Sequence, residues 1–221
     1  MEIIDRLLKA FEVECSHRAR AQLQLYFDHL QQWNRTVNLT GLKGREEMVK
    51  KHLADSLLLL KHLPSKAGTL MDIGTGPGVP GLLIKIMRPD LDVTLVESVK
   101  KKCSFMRFVI ARLGLERVFV EQIRISPGHP PESLPPEGFH VIVSQAAGSL
   151  CWLWQTGRPF LAEGGVVIAL KGPRVEEELE ELMSEHDGCG PLRPRIETLR
   201  HRLPETGWTR NLVFMQPGPA V

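Results

Sequence analysis

Thr69-Leu70-Met71-Asp72-Ile73-Gly74-Thr75-Gly76-Pro77-Gly78-Val79-Pro80-Gly81 is the stretch that decides the architecture of this chain. A short apolar run carrying a carboxylate passes straight into glycines ahead of a helix-like segment. That order exposes backbone N–H groups where side chains would otherwise block a ligand. Pro77 stiffens the path, and Pro80 stands where the first turn of a helix tolerates proline. The next apolar run ends in Glu97. Lying about 20 residues beyond the glycines, its carboxylate is placed to accept hydrogen bonds from both hydroxyls of a ribose.

Outward from this turn, short apolar runs recur at residues 69–73, 93–97, 118–121, 141–144 and 166–170. Between them lie helical candidates at residues 79–87, 100–113, 149–160 and 175–186. Alternation of this kind predicts a parallel sheet covered by helices, joined through right-handed crossovers. Residues 193–202 and 211–216 read as strands separated by the turn residues 204–207, which predicts a terminal antiparallel pair. The segment 126–138 holds Pro127, Pro130, Pro131, Pro135 and Pro136 and reads as a loop.

Toward the N-terminus the period changes. Ala19, Leu23, Tyr26, Phe27, Leu30 and Trp33 recur at three- and four-residue steps, and Met48, Val49, Leu53, Leu57 and Leu60 do the same over residues 45–61. Residues 1–63 are therefore expected to form a helical extension, and residues 64–221 the sheet domain. With 43% hydrophobic and 24% charged residues, the chain has the composition of a soluble globular protein. Its longest leucine run, Leu57 to Leu60, stops at Lys61, far short of the roughly 18 residues a membrane span needs. Met1-Glu2-Ile3-Ile4-Asp5 lacks a basic and then apolar leader, so the expected location is the cytoplasm. Cys15, Cys103, Cys151 and Cys189 are scattered and read as reduced thiols, with neither a zinc site nor a disulfide framework indicated. The net charge is only +2, yet Lys100, Lys101, Lys102 and Arg107 gather positive charge in one stretch, a candidate contact for nucleic acid.

Gly76-Pro77-Gly78-Val79-Pro80-Gly81 also satisfies the dinucleotide fingerprint, so the turn alone leaves two cofactors open. Two features favour a methyltransferase over a dehydrogenase. Asp72 precedes the glycines, where it can hold an amino-acid portion of the cofactor directly or through water, and the chain closes with an antiparallel pair that a pure dinucleotide fold does not need.

Several ordered motifs carry a resemblance to a known family. They are Trp33-Asn34-Arg35-Thr36-Val37-Asn38-Leu39-Thr40, His52-Leu53-Ala54-Asp55-Ser56, the turn from Asp72 to Gly81, and Ala169-Leu170-Lys171-Gly172. Together they resemble the RsmG (GidB) family of bacterial small-subunit rRNA guanine-N7 methyltransferases over nearly the whole chain. The resemblance implies a Rossmann-like class I methyltransferase sheet with flanking helices, C-terminal antiparallel strands and an N-terminal helical extension. It implies S-adenosyl-L-methionine as cofactor and the 530 loop of 16S rRNA, free or within the small ribosomal subunit, as substrate, for a protein acting as a monomer. Carried over by position, Asp72, Gly74, Gly76, Gly78, Val79 and Glu97 bind the cofactor, Ile125 and Ser126 flank its adenine, and Ser144 ends the fourth strand beside the reaction centre.

The chain departs from that pattern twice. The family's S-R-A reads Ser144-Gln145-Ala146, so a neutral amide stands where an arginine is usual beside the cofactor. The family's G-R-x-E reads Ile123-Arg124-Ile125-Ser126, which removes an acid near the adenine. Guanine N7 carries an in-plane lone pair and no proton at neutral pH, so the implied reaction needs alignment rather than a general base. No catalytic residue is therefore expected, although Ser144 and Lys171 fall near the reaction centre. Lys171, Lys100, Lys101, Lys102 and Arg107 are the candidate RNA contacts. His52 and Asp55 are read as helix-packing and hydrogen-bonding groups, Trp33 as core, and Asn38 and Thr40 as caps. A methyltransferase with another substrate, or a binding module that keeps the fold without the chemistry, remain alternatives.

Overall fold

A parallel sheet must be covered on both faces, and the computed structural model, which describes residues 2–129, 131–135, 138–145, 147–184 and 193–218, shows how this chain does it. Strands β1 (Thr69–Ile73), β2 (Asp92–Val96), β3 (Val118–Glu121), β4 (Phe139–Gln145) and β5 (Leu161–Lys171) run parallel. Strands β6 (Pro194–Arg202) and β7 (Thr209–Pro217) form the expected antiparallel pair, with β7 hydrogen-bonded to β5. The order across the sheet is β3-β2-β1-β4-β5-β7-β6. It reverses between β1 and β4, so the chain connections leave a crevice at the carboxyl ends of those strands. Asp72 sits level with Leu95 of β2 and Val143 of β4, which brings the three strand ends to one edge.

Eight α-helices are described: α1 (Ile3–Ala10), α2 (His17–Val37), α3 (Arg45–Met48), α4 (Ala54–His62), α5 (Gly81–Met87), α6 (Lys100–Leu113), α7 (Leu150–Gly157) and α8 (Glu176–Met183). Helix α1 falls within the helical extension expected over residues 1–63, although no separate helix was delimited there; its apolar residues Ile4, Leu7 and Leu8 lie at one-turn spacing and are buried. The helix expected over residues 45–61 is interrupted by a π-helical turn, Val49–Leu53, which carries His52. The end expected for the last helix, at residue 186, lies outside the described residues, as do Pro130, Pro136, Ala146 and Cys189. The described residues of 126–138 form a loop, with a single bridge between Ser126 and His129.

Alternation along β1 divides the core. Leu70 joins Leu7, Tyr26, Leu30, Leu57, Leu83 and Phe105 on the face covered by the N-terminal helices, α5 and α6. Met71 and Ile73 join Ile142, Trp154 and Val167 on the other face. The helical section thus shares one core with the sheet. Ser16 caps α2 by accepting the Ala19 N–H at 3.1 Å, and Asn38 ends it in the left-handed region at φ 50°. Trp33 packs its ring against Phe105 at 5.6 Å and Phe108 at 5.2 Å, a core position as expected. Cys15 and Cys103 are free thiols as read, whereas Cys151 is disulfide-bonded, a correction that scatter along the sequence could not reveal.

Candidate cofactor and substrate site

Asp72 is wholly buried and organises the glycine turn from within. Its Oδ2 accepts from the Thr75 hydroxyl at 2.5 Å and from the Gly81 N–H at 2.8 Å, while Oδ1 has no partner among the described residues. Burial pushes its pKa up to about 7, against the pull of those two hydrogen bonds. The turn tolerates no side chain at two points. Gly74 holds φ +71°, and a Cβ there would stand 2.8 Å from the Ala147 Cβ. A Cβ on Gly81 would strike Leu95 Cδ2 and lie 2.9 Å from Asp72 Oδ2. From the helical extension, the buried Tyr26 hydroxyl donates to the Pro77 carbonyl at 3.0 Å, so α2 props the turn from below.

Glu97, just beyond β2, faces the turn. Its Oε2 accepts the Gly76 N–H at 3.1 Å and pairs with Lys102 at 3.5 Å, and its Oε1 accepts the Val99 N–H at 2.9 Å. Gly74, Glu97, Ile123, Ile125, Ser126 and Trp152 are among the residues that line a cleft of about 280 Å³. It offers a carboxylate at one end, apolar walls and an aromatic ring. Gly76, Gly78 and Val79 are not among the residues that line it, and Val79 is buried.

At the switch point, Ser144 is buried and donates its hydroxyl to the Ile73 carbonyl at 2.8 Å, tying β4 to β1. One residue on, the Gln145 amide Nε2 donates to Asp55 Oδ2 at 2.6 Å. Asp55, on α4 and fully buried, also receives Arg210 of β7, whose Nε lies 2.8 Å from Oδ1 and Nη2 3.3 Å from Oδ2. Burial raises the Asp55 pKa, opposed by the hydrogen bond and charge of Arg210. The Arg210 guanidinium lies 5.5 Å from the Trp208 ring centre. His52, a turn before Asp55, is buried with both ring nitrogens unpartnered among the described residues, and burial lowers its pKa to about 4. It is neutral at physiological pH.

The basic residues divide. Lys171, expected among the RNA contacts, is 8% exposed, its ammonium held between the Gly148 carbonyl at 2.7 Å and Glu178 at 2.8 Å. Glu178 also accepts the Leu150 N–H at 2.9 Å, so Lys171 braces the loop after β4 instead of facing solvent. Arg107 donates to the Val120 carbonyl at 3.1 Å, and Lys100 and Lys101 stand exposed on the first turn of α6. Sequence reasoning assigned no site role to Tyr26, Trp152 or Arg210. Tyr26 was legible only as a core position, and nothing near Arg210 in sequence signals its partner on α4.

A family model described as "rRNA small subunit methyltransferase G" matches residues 19–200. The chain belongs to this family. Among its curated relatives, the Ribosomal RNA small subunit methyltransferase G of Halorhodospira halophila is 38% identical over 179 residues, covering 81% of this chain and 82% of the relative. The protein of that name from Acinetobacter baumannii is 39% identical over 191 residues, covering 85% and 89%. Among solved structures, a protein titled a SAM-dependent methyltransferase from Aquifex aeolicus superposes with a TM-score of 0.54 at 18% identity, over 76% of this chain and 92% of that one. At that identity the likeness concerns the fold, a class I methyltransferase sheet with flanking helices.

Proposed function

We propose that the chain transfers the methyl group of S-adenosylmethionine to N7 of a guanine in the 530 loop of 16S rRNA. The observation that carries this reading is convergence at one strand edge: the glycine turn, the Glu97 carboxylate and the 280 Å³ cleft meet at the β1/β4 switch point of a family member. Bound there, S-adenosylmethionine supplies an electrophilic methyl group on a sulfonium. Glu97 accepts from the ribose hydroxyls. Ile123, Ile125 and Trp152 enclose the adenine, with Ser126 at its edge, and Gly74 lets the backbone approach the methionine portion. Asp72 acts by shaping the turn, and its unpartnered Oδ1 offers one buried acceptor toward a donor arriving there.

On this reading the target base comes in beside the end of β4, where Ser144 is tied to the Ile73 carbonyl and Gln145 to Asp55. N7 attacks without losing a proton, so the site's task is to align the base with the methyl carbon and exclude water. Burial makes His52 a weak base, and Asp55 is held by Arg210, so neither group is set up as a strong proton acceptor, and none is needed. Position 145 carries an amide, and the guanidinium that pairs with Asp55 comes instead from Arg210 on β7.

The test combines the purified chain, S-adenosylmethionine and small ribosomal subunits from a strain lacking this gene. Nucleoside mass spectrometry should detect 7-methylguanosine in the 530 loop. Methyl transfer to a different position, or none with cofactor bound, would reject the reading.

A further inference from the structure

The Trp33 to Thr40 motif is not absorbed by the cofactor cleft, and Asn34, Arg35, Asn38, Leu39 and Thr40 from it line a separate groove of about 590 Å³. The groove runs between the end of α2, the loop after it and the start of α6. Its wall carries Arg35, Lys43 and Lys102, together with Gln31 and Asn38, and includes no acidic residue. Arg35 and Lys43 are exposed and have no acidic partner among the described residues. A groove with several cations, spare amides and no anion is complementary to a polyanion.

The loop that forms its rim is held ready. Asn34 donates to the Leu42 carbonyl at 2.8 Å and accepts the Thr40 N–H at 2.8 Å, and Thr40 Oγ1 accepts the Leu42 N–H at 3.3 Å. Buried Leu39 anchors the loop in the core. Asn34 and Thr40 therefore serve the loop, leaving Arg35, Asn38 and Lys43 to face a ligand. The groove also abuts the proposed cofactor cleft, because Lys102 lines it while reaching Glu97 at 3.5 Å. No aromatic ring lines it, and Trp33 is turned into Phe105 and Phe108. Without a stacking platform the groove suits phosphates and riboses along the strand better than splayed bases.

We infer that this groove binds the sugar-phosphate backbone of the single-stranded RNA flanking the target nucleotide, setting affinity and register while the choice of base is made at the β4 end. The inference rests on RNA being the substrate, as proposed above. It shifts the RNA contact from Lys171 and Arg107 to Arg35, Lys43 and Lys102, of which only Lys102 belongs to the lysine run of α6.

The experiment titrates a short fluorescently labelled single-stranded RNA into the full chain at several salt concentrations. An R35Q/K43Q variant is compared with an R112Q/K66Q variant, which removes the same charge from exposed sites outside the groove. Cofactor affinity is measured on each by calorimetry. Lys102 is left intact because it also pairs with Glu97. The groove variant should weaken RNA binding roughly tenfold, for RNAs of different sequence alike, and lower the salt slope by about 0.7 for each cation removed. Cofactor affinity should stay unchanged, and the control variant should match the parent. Equal RNA binding by both variants overturns the groove alone. Failure of the unaltered chain to bind RNA while it binds cofactor overturns the functional reading and the groove with it.

Discussion

The glycine turn and the seam around Asp55 both border the switch point, yet they are built on opposite principles. The turn is local: Thr75 and Gly81 both donate to Asp72 within ten residues of chain, and Glu97, just beyond the adjacent strand, accepts the Gly76 N–H. The seam is assembled from three distant segments, with Asp55 separated from Gln145 by 90 positions and from Arg210 by 155. Local order makes the turn a shape that backbone geometry enforces. The seam is instead a charge balance, in which one fully buried carboxylate is stable only while two partners arrive from elsewhere.

This difference predicts which property each region controls. The largest effect should follow Asp55→Ala, which strands Arg210 and the Gln145 amide; unfolding in denaturant should show a loss of about 3–5 kcal/mol. An Asp55→Ala/Arg210→Met double variant should recover most of it, and failure to recover would mean that the seam is more than a charge balance. Next is Gly74→Asp, where a side chain at φ +71° and close to Ala147 should reduce S-adenosylmethionine affinity by at least about a hundredfold in calorimetry. If that variant binds cofactor normally, the turn is not the site.

A subtler test concerns Asp72. Its folded pKa of about 7 lies above the ordinary carboxylate value of 3.8, so the stability it contributes is complete in acid and is lost as pH rises through about 7. Asp72→Asn cannot titrate. The stability difference, parent minus variant, should therefore fall between about pH 4 and pH 7; a difference constant across that window would rule out a buried, titrating Asp72. The smallest effect is expected for Trp208→Ala, which removes the ring beside the Arg210 guanidinium and should cost about 0.5–1 kcal/mol with cofactor affinity untouched.

Legibility followed the same division. The strand runs at 69–73 and 118–121 coincide with β1 and β3; β1 is buried from Leu70 to Ile73, whereas β3 is an edge strand whose Phe119 stays exposed, so its apolar residues mark a strand without marking burial. The π-helical turn carrying His52 was not legible, since its apolar residues keep a helical spacing that one extra residue in a turn barely disturbs. Lys171 misled for another reason. A lysine at a strand's carboxyl end has the position of a ligand contact, and only the approach of α8 with Glu178 turns it into a brace. Likewise the lysine run of α6 gave no sign that Lys102 alone would bend toward Glu97.

By itself the sequence determined the strand–helix alternation, the cofactor-type turn and the carboxylate that faces it, because each depends on residues near one another in the chain. Only the tertiary structure decided what holds Gln145, where the guanidinium near it comes from, and which cations are free to meet a phosphate. The first two depend on partners 90 and 155 positions from Asp55, and the last on burial and on which carboxylate is folded against each cation. Charge in a sequence is a list of residues; whether a charge is available is settled by what folds against it.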